Sequence, residues 1–208
     1  MMTLAPALTL GLMLGIRHAT DADHVAAIGT LVAHPQGARR AALIGATWGV
    51  GHSASVLLVG GALVILRLPM PPRVALAFEF LVAVMLVGLG LRSLVAKRRD
   101  RVSAARPLLI GVMHGLAGSA VLALLVLGTT SSALTAAVYL VCFCAGTILG
   151  MALVTALLSL PAQLGSRHAV SIERGLRVVA GVASVAIGLA LAHRVSVHDG
   201  LFAATLPQ

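Results

Sequence analysis

Residues 17–28 read RHATDADHVAAI and lie inside the first long apolar run of a 208-residue chain. One arginine, two aspartates and two histidines therefore occupy a segment greasy enough to cross a bilayer. On insertion scales an arginine or aspartate at a helix centre costs roughly 2.5–3.5 kcal/mol, so Arg17, Asp21 and Asp23 together cost on the order of 8–10 kcal/mol if unpaired. Arg17 and Asp21 are four apart and are expected to pair across one helical turn. That pair gives no structural reason for Asp23, His18 and His24, and ionisable residues inside a span are functional candidates by default.

Composition identifies the solvent. The chain is 59% hydrophobic and 10% charged, with a mean hydropathy of +1.04, whereas soluble domains carry about 25% charged residues. Six apolar runs follow one another, at about 3–33, 41–66, 74–94, 107–128, 133–160 and 175–192, and a helical span needs roughly 20 such residues. The expected fold is an all-α integral membrane protein with six transmembrane helices. Residues 1–208 then form a single transmembrane domain, with three helices in about 1–98 and three in about 105–194. The N-terminal residues MMTLAPALTLGLMLG lack a positive n-region, so this segment is expected to be retained rather than cleaved.

The net charge of +9 points to topology, not to nucleic acid, because aromatic residues make up only 3% of the chain and the basic ones sit between apolar runs. Arg39, Arg40, Arg92, Lys97, Arg98, Arg99, Arg101, Arg106, Arg167, Arg174 and Arg177 fall on one side, against Arg67, Arg73 and Arg194 on the other. The positive side is expected to be cytoplasmic. This makes the chain a multi-pass protein of the inner (cytoplasmic) membrane with both termini outside. The amphipathic linker at 163–174 is read as lying on the membrane surface. His34, His168, His193 and His198 fall in linkers or the tail and read as surface residues.

The two halves echo each other. Gly15-x-x-His18-Ala19 resembles Gly111-x-x-His114-Gly115, and Gly88-Leu89-Gly90-Leu91 resembles Gly188-Leu189-Ala190-Leu191. With three helices per half, such a repeat would be inverted across the membrane, a recurring construction of secondary transporters. Chance matches among 22 glycines are the competing explanation.

Helix geometry sharpens the question raised by the charged stretch. At about 100° per residue, His18, Asp23 and His24 spread round a straight helix and cannot meet on one ion. The first apolar run would span roughly 46 Å as an unbroken helix, against a hydrocarbon core of about 30 Å. The first helix is therefore predicted to be broken at the charged motif. Two imidazoles and a carboxylate brought together there suit a divalent first-row metal. Cys142 and Cys144 point to opposite sides of one helix and read as structural. Met85, Met113 and Met151 read as packing residues, and Glu79 is expected to pair with Arg73 or Arg67.

The stretch from Arg17 through His24 resembles the R-H-A-x-D-A-D-H form of the H-x4-D-H signature of the nickel/cobalt transporter (NiCoT) family, matching every specified position. Gly51-His52-Ser53 resembles the G-H-S stretch of that family's next helix. The resemblance implies that His18, Asp23, His24 and His52 bind the ion; Arg17, Asp21, Ser53 and His114 are read as lying around it or along its path. The chain lacks the later D-T motifs of the larger, eight-helix members. It is similar instead to the short six-helix, urease-associated branch, whose histidine-glycine-rich stretch resembles residues 114–119. The implied consumer of the metal is a urease or hydrogenase maturation system.

Taken together, these features lead to a secondary permease, not an enzyme, that carries Ni²⁺ or Co²⁺ into the cell through an intramembrane His/Asp site. The metal ion is its substrate and the lipid bilayer its surroundings. No further cofactor is expected, and a homo-oligomer is compatible with the sequence. No G-x-x-x-x-G-K-[ST] stretch supplies ATP chemistry, and no H-E-x-x-H supplies an intramembrane metalloprotease. A membrane metal sensor or accessory subunit that binds the ion without moving it is the main alternative. An intramembrane metalloenzyme using the aspartates is the weaker one.

Overall fold

The chain breaks its first apolar run at the charged motif and keeps most of the others as long helices. In the computed structural model, which describes residues 4–32, 37–95, 105–129, 132–164 and 169–202, every regular element among those residues is helical. The elements are α1 (Leu4–His18), α2 (Ala22–Val32), α3 (Ala38–Ser55), α4 (Gly61–Leu66), α5 (Pro72–Val95), α6 (Ala105–Thr129), α7 (Ala133–Leu164) and α8 (Ala169–His193). A π-helical turn at Val56–Gly60 joins α3 to α4, and another at Arg194–His198 extends α8.

Four described stretches are long and apolar enough to cross a membrane: Ala38–Leu66, Pro72–Val95, Ala133–Pro161 and Glu173–His198. Leu4–His18 and Ala22–Val32 are shorter apolar helices. The outward faces are greasy, with Leu58 74% and Ile65 79% exposed. A soluble protein seldom leaves contiguous apolar surface uncovered, and a bilayer covers it here. This is a helical, multi-pass membrane protein.

The break in the first run has a local cause. At the end of α1 the hydrogen bonds tighten, with the Thr20 amide donating to the Arg17 carbonyl at 2.8 Å and the Asp21 amide to that of His18 at 3.1 Å. The Thr20 hydroxyl also donates to the Arg17 carbonyl at 2.6 Å. The Asp21 carbonyl then accepts the Val25 amide at 2.9 Å and starts α2. Threonine and aspartate offer this kind of local alternative to helical bonding. Interrupted backbone at membrane depth survives only where protein or a cavity surrounds it, and the break lines a cavity.

Helix directions follow from the contacts. Ser184 Oγ on α8 donates to the Leu86 carbonyl on α5 at 2.8 Å, and Ser93 Oγ on α5 donates to the Arg177 carbonyl on α8 at 3.2 Å. As one chain advances the other retreats, so α5 and α8 are antiparallel. Ser53 Oγ on α3 donates to the Cys144 carbonyl on α7 at 3.3 Å, while Gly49 packs on Ile148 and Gly45 on Met151, so α3 and α7 are also antiparallel. Close parallel crossings join α1 to α7 and α6 to α3. A Cβ at Gly15 would collide with the Phe143 carbonyl and the Thr147 amide, and one at Gly111 with the Trp48 carbonyl and the His52 amide. Such small-residue crossings are the usual way membrane helices pack.

Several expectations change at this level. Asp21 is engaged by His18 and not by Arg17, because the break turns its carboxylate toward the ring. Glu79 pairs with Arg194 on the far end of α8, at 2.6 Å, and not with Arg73 or Arg67, because α5 lies against α8 along its length. Met151 is fully buried and Met85 packs on the same core, as expected of packing residues. Of the linker at 163–174, residues 165–168 lie outside the described residues, and α8 already begins at Ala169. His34, Lys97, Arg98, Arg99, Arg101, Arg167 and His168 also lie outside them.

Candidate metal site

The break does what a straight helix cannot. It folds His18, the last residue of α1, back toward His24 near the start of α2, with ring centroids 4.4 Å apart. α3 brings in His52, 5.1 Å from His18 and 5.4 Å from His24. From the other half of the chain, α6 brings His114 to 4.9 Å from His24. Four imidazoles thus share one core, where His24, His52 and His114 are all buried.

Two carboxylates orient two of the rings. His18 Nδ1 donates to Asp21 Oδ2 at 2.8 Å, and His24 Nδ1 donates to Asp23 Oδ1 at 2.9 Å. A carboxylate on Nδ1–H leaves Nε2 as the lone-pair nitrogen, which is how metal-binding histidines are commonly set. The Nε2 atoms of His18 and His24 are buried without a hydrogen-bond partner, as are both ring nitrogens of His52. A buried polar atom left unpaired costs about 1–3 kcal/mol. Several in one place mark a site that some other group completes.

The ligand atoms form two overlapping sets, His18/His24/His52 and Asp23/His24/His114, and within each set the atoms lie within 4.8 Å of one another. Neutral imidazole with carboxylate suits nickel, cobalt or zinc better than hard ions such as magnesium. No thiolate contributes. Cys144 is free and buried, its thiol facing the Ser53 carbonyl at 3.9 Å.

Aromatic walls close the site. Trp48, with no exposed surface, stands 5.3 Å from the His24 ring and 5.4 Å from that of His114. Phe143 stands 5.4 Å from His18. A cavity of about 730 Å³ leads to the cluster; Glu79 and Arg194 line it together with Arg17, Tyr139, Asp23 and His114. His52 is not among its lining residues.

The chain is 31% identical over 215 residues to the urease accessory protein UreH of Bacillus sp. (strain TB-90), a match covering 94% of each chain. It belongs to the nickel/cobalt transporter family, in the urease-associated branch. No protein-family model matches it, and no solved structure matches it significantly.

In this member of the family, the four residues that the resemblance implies as ligands lie within one cluster, although Asp23 already holds a histidine ring. Asp21 does the same for His18. Arg17 is exposed at the cavity wall. Ser53 is used to tie α3 to α7, and Ser55 donates to backbone carbonyls of Gly51 and Val112. His114 joins the cluster, its ring 4.9 Å from that of His24. Sequence reasoning missed Trp48 and Tyr139. Only the position of Trp48 in WGVGHS, one turn before His52, hinted at its place.

Proposed function

We propose that this nickel/cobalt transporter family protein is a secondary permease that carries Ni²⁺ across the cytoplasmic membrane into the cell. The observation that carries the reading is the meeting of His18, His24 and His52 nitrogens, unpartnered and buried, at a helix break reached by a cavity. The ion enters the cavity from outside, sheds water as imidazole nitrogens replace it, and leaves toward the cytoplasm. A mixed imidazole site without thiolate binds loosely enough to release. Membrane potential favours inward movement of a divalent ion by about 4.6 kcal/mol per 100 mV. Cobalt, with similar ligand preferences, is a second substrate.

The architecture proposed is six membrane crossings in two inverted three-helix repeats, with both termini outside. The reciprocal contacts support it. A shift of 96 takes Gly15 and His18 to Gly111 and His114, and a shift of 95 takes Trp48 and His52 to Phe143 and Thr147. Gly15 packs on Phe143 and Thr147 as Gly111 packs on Trp48 and His52. His18 faces Phe143 as His114 faces Trp48. The metal ligands themselves break the symmetry, since Asp23 and His24 belong to the first half alone. The relative's name as a urease accessory protein supports delivery of the metal to a urease.

Uptake of labelled nickel into cells lacking their own nickel permease tests the reading. The intact chain should confer uptake, and His18→Ala, His24→Ala and His52→Ala should each abolish it at matched membrane amount. Nickel binding by the intact, purified protein without any uptake would replace the permease with a non-transporting accessory protein.

A further inference from the structure

The permease reading uses three imidazoles and leaves His114 unexplained. His114 is 2% exposed, comes from the opposite half of the chain, and holds its Nε2 3.7 Å from Asp23 Oδ2 with no hydrogen bond. Two ligands about 2.0–2.1 Å from a common first-row ion lie roughly 3–4 Å apart. This pair therefore already has the spacing of two ligands on one ion. The second oxygen of the Asp23 carboxylate is committed to His24 Nδ1, which leaves Oδ2 for the ion.

The cavity distinguishes the two ligand sets. Asp23, His24 and His114 all line it; of the other set His18 and His24 line it and His52 does not. Asp23 keeps 31% of its side chain exposed and His114 only 1%. An ion in the cavity thus has the whole mixed oxygen–nitrogen set within reach, whereas the all-imidazole set is completed only by His52, away from the lining. Carboxylate and water suit an ion that is still partly hydrated, and imidazoles replace that water further on.

We infer that Asp23, His24 and His114 form a second metal position on the cavity side, which receives the hydrated divalent ion and passes it to His18/His24/His52 by way of the shared His24. The inference rests on the permease reading for its direction. As an equilibrium binding site, however, it can be tested separately. Occupancy of the two positions is mutually exclusive, because each requires His24. A Cβ added at Gly118, which also lines the cavity, would sit 3.9 Å from His52 Cε1, in ordinary van der Waals contact with the ring.

Equilibrium dialysis of the purified full-length protein against Ni²⁺ provides the test, with X-ray absorption reporting the number of imidazole ligands. The double variant His18→Ala/His52→Ala should still bind one ion, with a shell poorer in imidazole than that of the intact protein. Adding His114→Ala should remove it. If the intact protein binds nickel and the double variant binds none, the cavity-side position does not exist, although the permease reading stands. If the intact protein itself binds none, both fall. Should the double variant not elute as a single species, His114→Gln in the uptake assay decides. Its KM for nickel should rise about tenfold, and by more than Vmax falls. An unchanged KM overturns the inference.

Discussion

His18 and Asp21 are three residues apart across a helix break, and their side chains meet at 2.8 Å between Nδ1 and Oδ2. The contact fixes both the direction and the tautomer of the first imidazole at the site. Without the break, Asp21 would belong to the turn above and Arg17 would be its natural neighbour. The backbone therefore selects which pairing forms, and the pairing selects which nitrogen faces the ion.

Asp21→Asn keeps the size of the side chain and removes the charge that holds His18 Nδ1–H. Loss of such an outer-shell partner typically lowers metal affinity about 10–100-fold. Nickel affinity of the purified variant, measured by equilibrium dialysis, should fall within that range while the protein remains folded. An unchanged affinity would mean that Asp21, 51% exposed, only caps the break.

The glycines at the parallel crossings should prove intolerant, and to a similar extent in both halves. Gly15→Ala and Gly111→Ala each push a methyl group against backbone, where overpacking costs about 1–3 kcal/mol. Gly88 has nothing within 4 Å of where its Cβ would sit, so Gly88→Ala should be neutral or stabilising by up to about 1 kcal/mol. Thermal unfolding in detergent compares the three. Equal stability of all of them would contradict the tight crossings and, with them, the paired geometry of the two halves.

The membrane class and the broken first helix were legible in the sequence, because both follow from counting apolar residues against charges within residues 3–33. The cluster was legible in part. His18, Asp23 and His24 announce themselves by their cost in a bilayer, but the roles of Asp21 and Asp23 depend on which way the chain turns after Thr20. No periodicity encodes that turn. His114 lies some sixty residues beyond His52, and its approach to His24 depends on the α3–α6 crossing at Gly111. Glu79 was assigned to nearby arginines because sequence distance favours them. Its true partner, Arg194, is brought there by the antiparallel packing of α8 on α5.

Trp48 is the chain's single tryptophan and stands 5.3 Å from His24, which makes its fluorescence a reporter of the site. Ni²⁺, with an open d shell, should quench it on binding, and closed-shell Zn²⁺ should quench it far less. Quenching should saturate with nickel concentration and vanish in His24→Ala, which removes the ligand common to both sets. Saturable quenching that survives His24→Ala would place the ion elsewhere.

Arg194, on the cavity wall, sits between two acids. Arg194 Nη2 meets Glu79 Oε2 at 2.6 Å, and its Nε lies 3.5 Å from Asp199 Oδ2. Arg194 is more than half exposed, so its worth is in steering rather than stability. A positive guanidinium on the cavity wall opposes an arriving divalent cation, and Glu79 offsets it. Arg194→Gln should therefore raise initial nickel uptake a few-fold at low nickel, and Glu79→Gln should lower it, since local charge sets encounter rates. Both effects should shrink as salt rises, because screening shortens from about 30 Å at 0.01 M to about 3 Å at 1 M. Uptake rates measured across that range check the sign for each variant. Responses independent of salt would mean that Arg194 shapes the cavity sterically and that its charge has no part in admitting the ion.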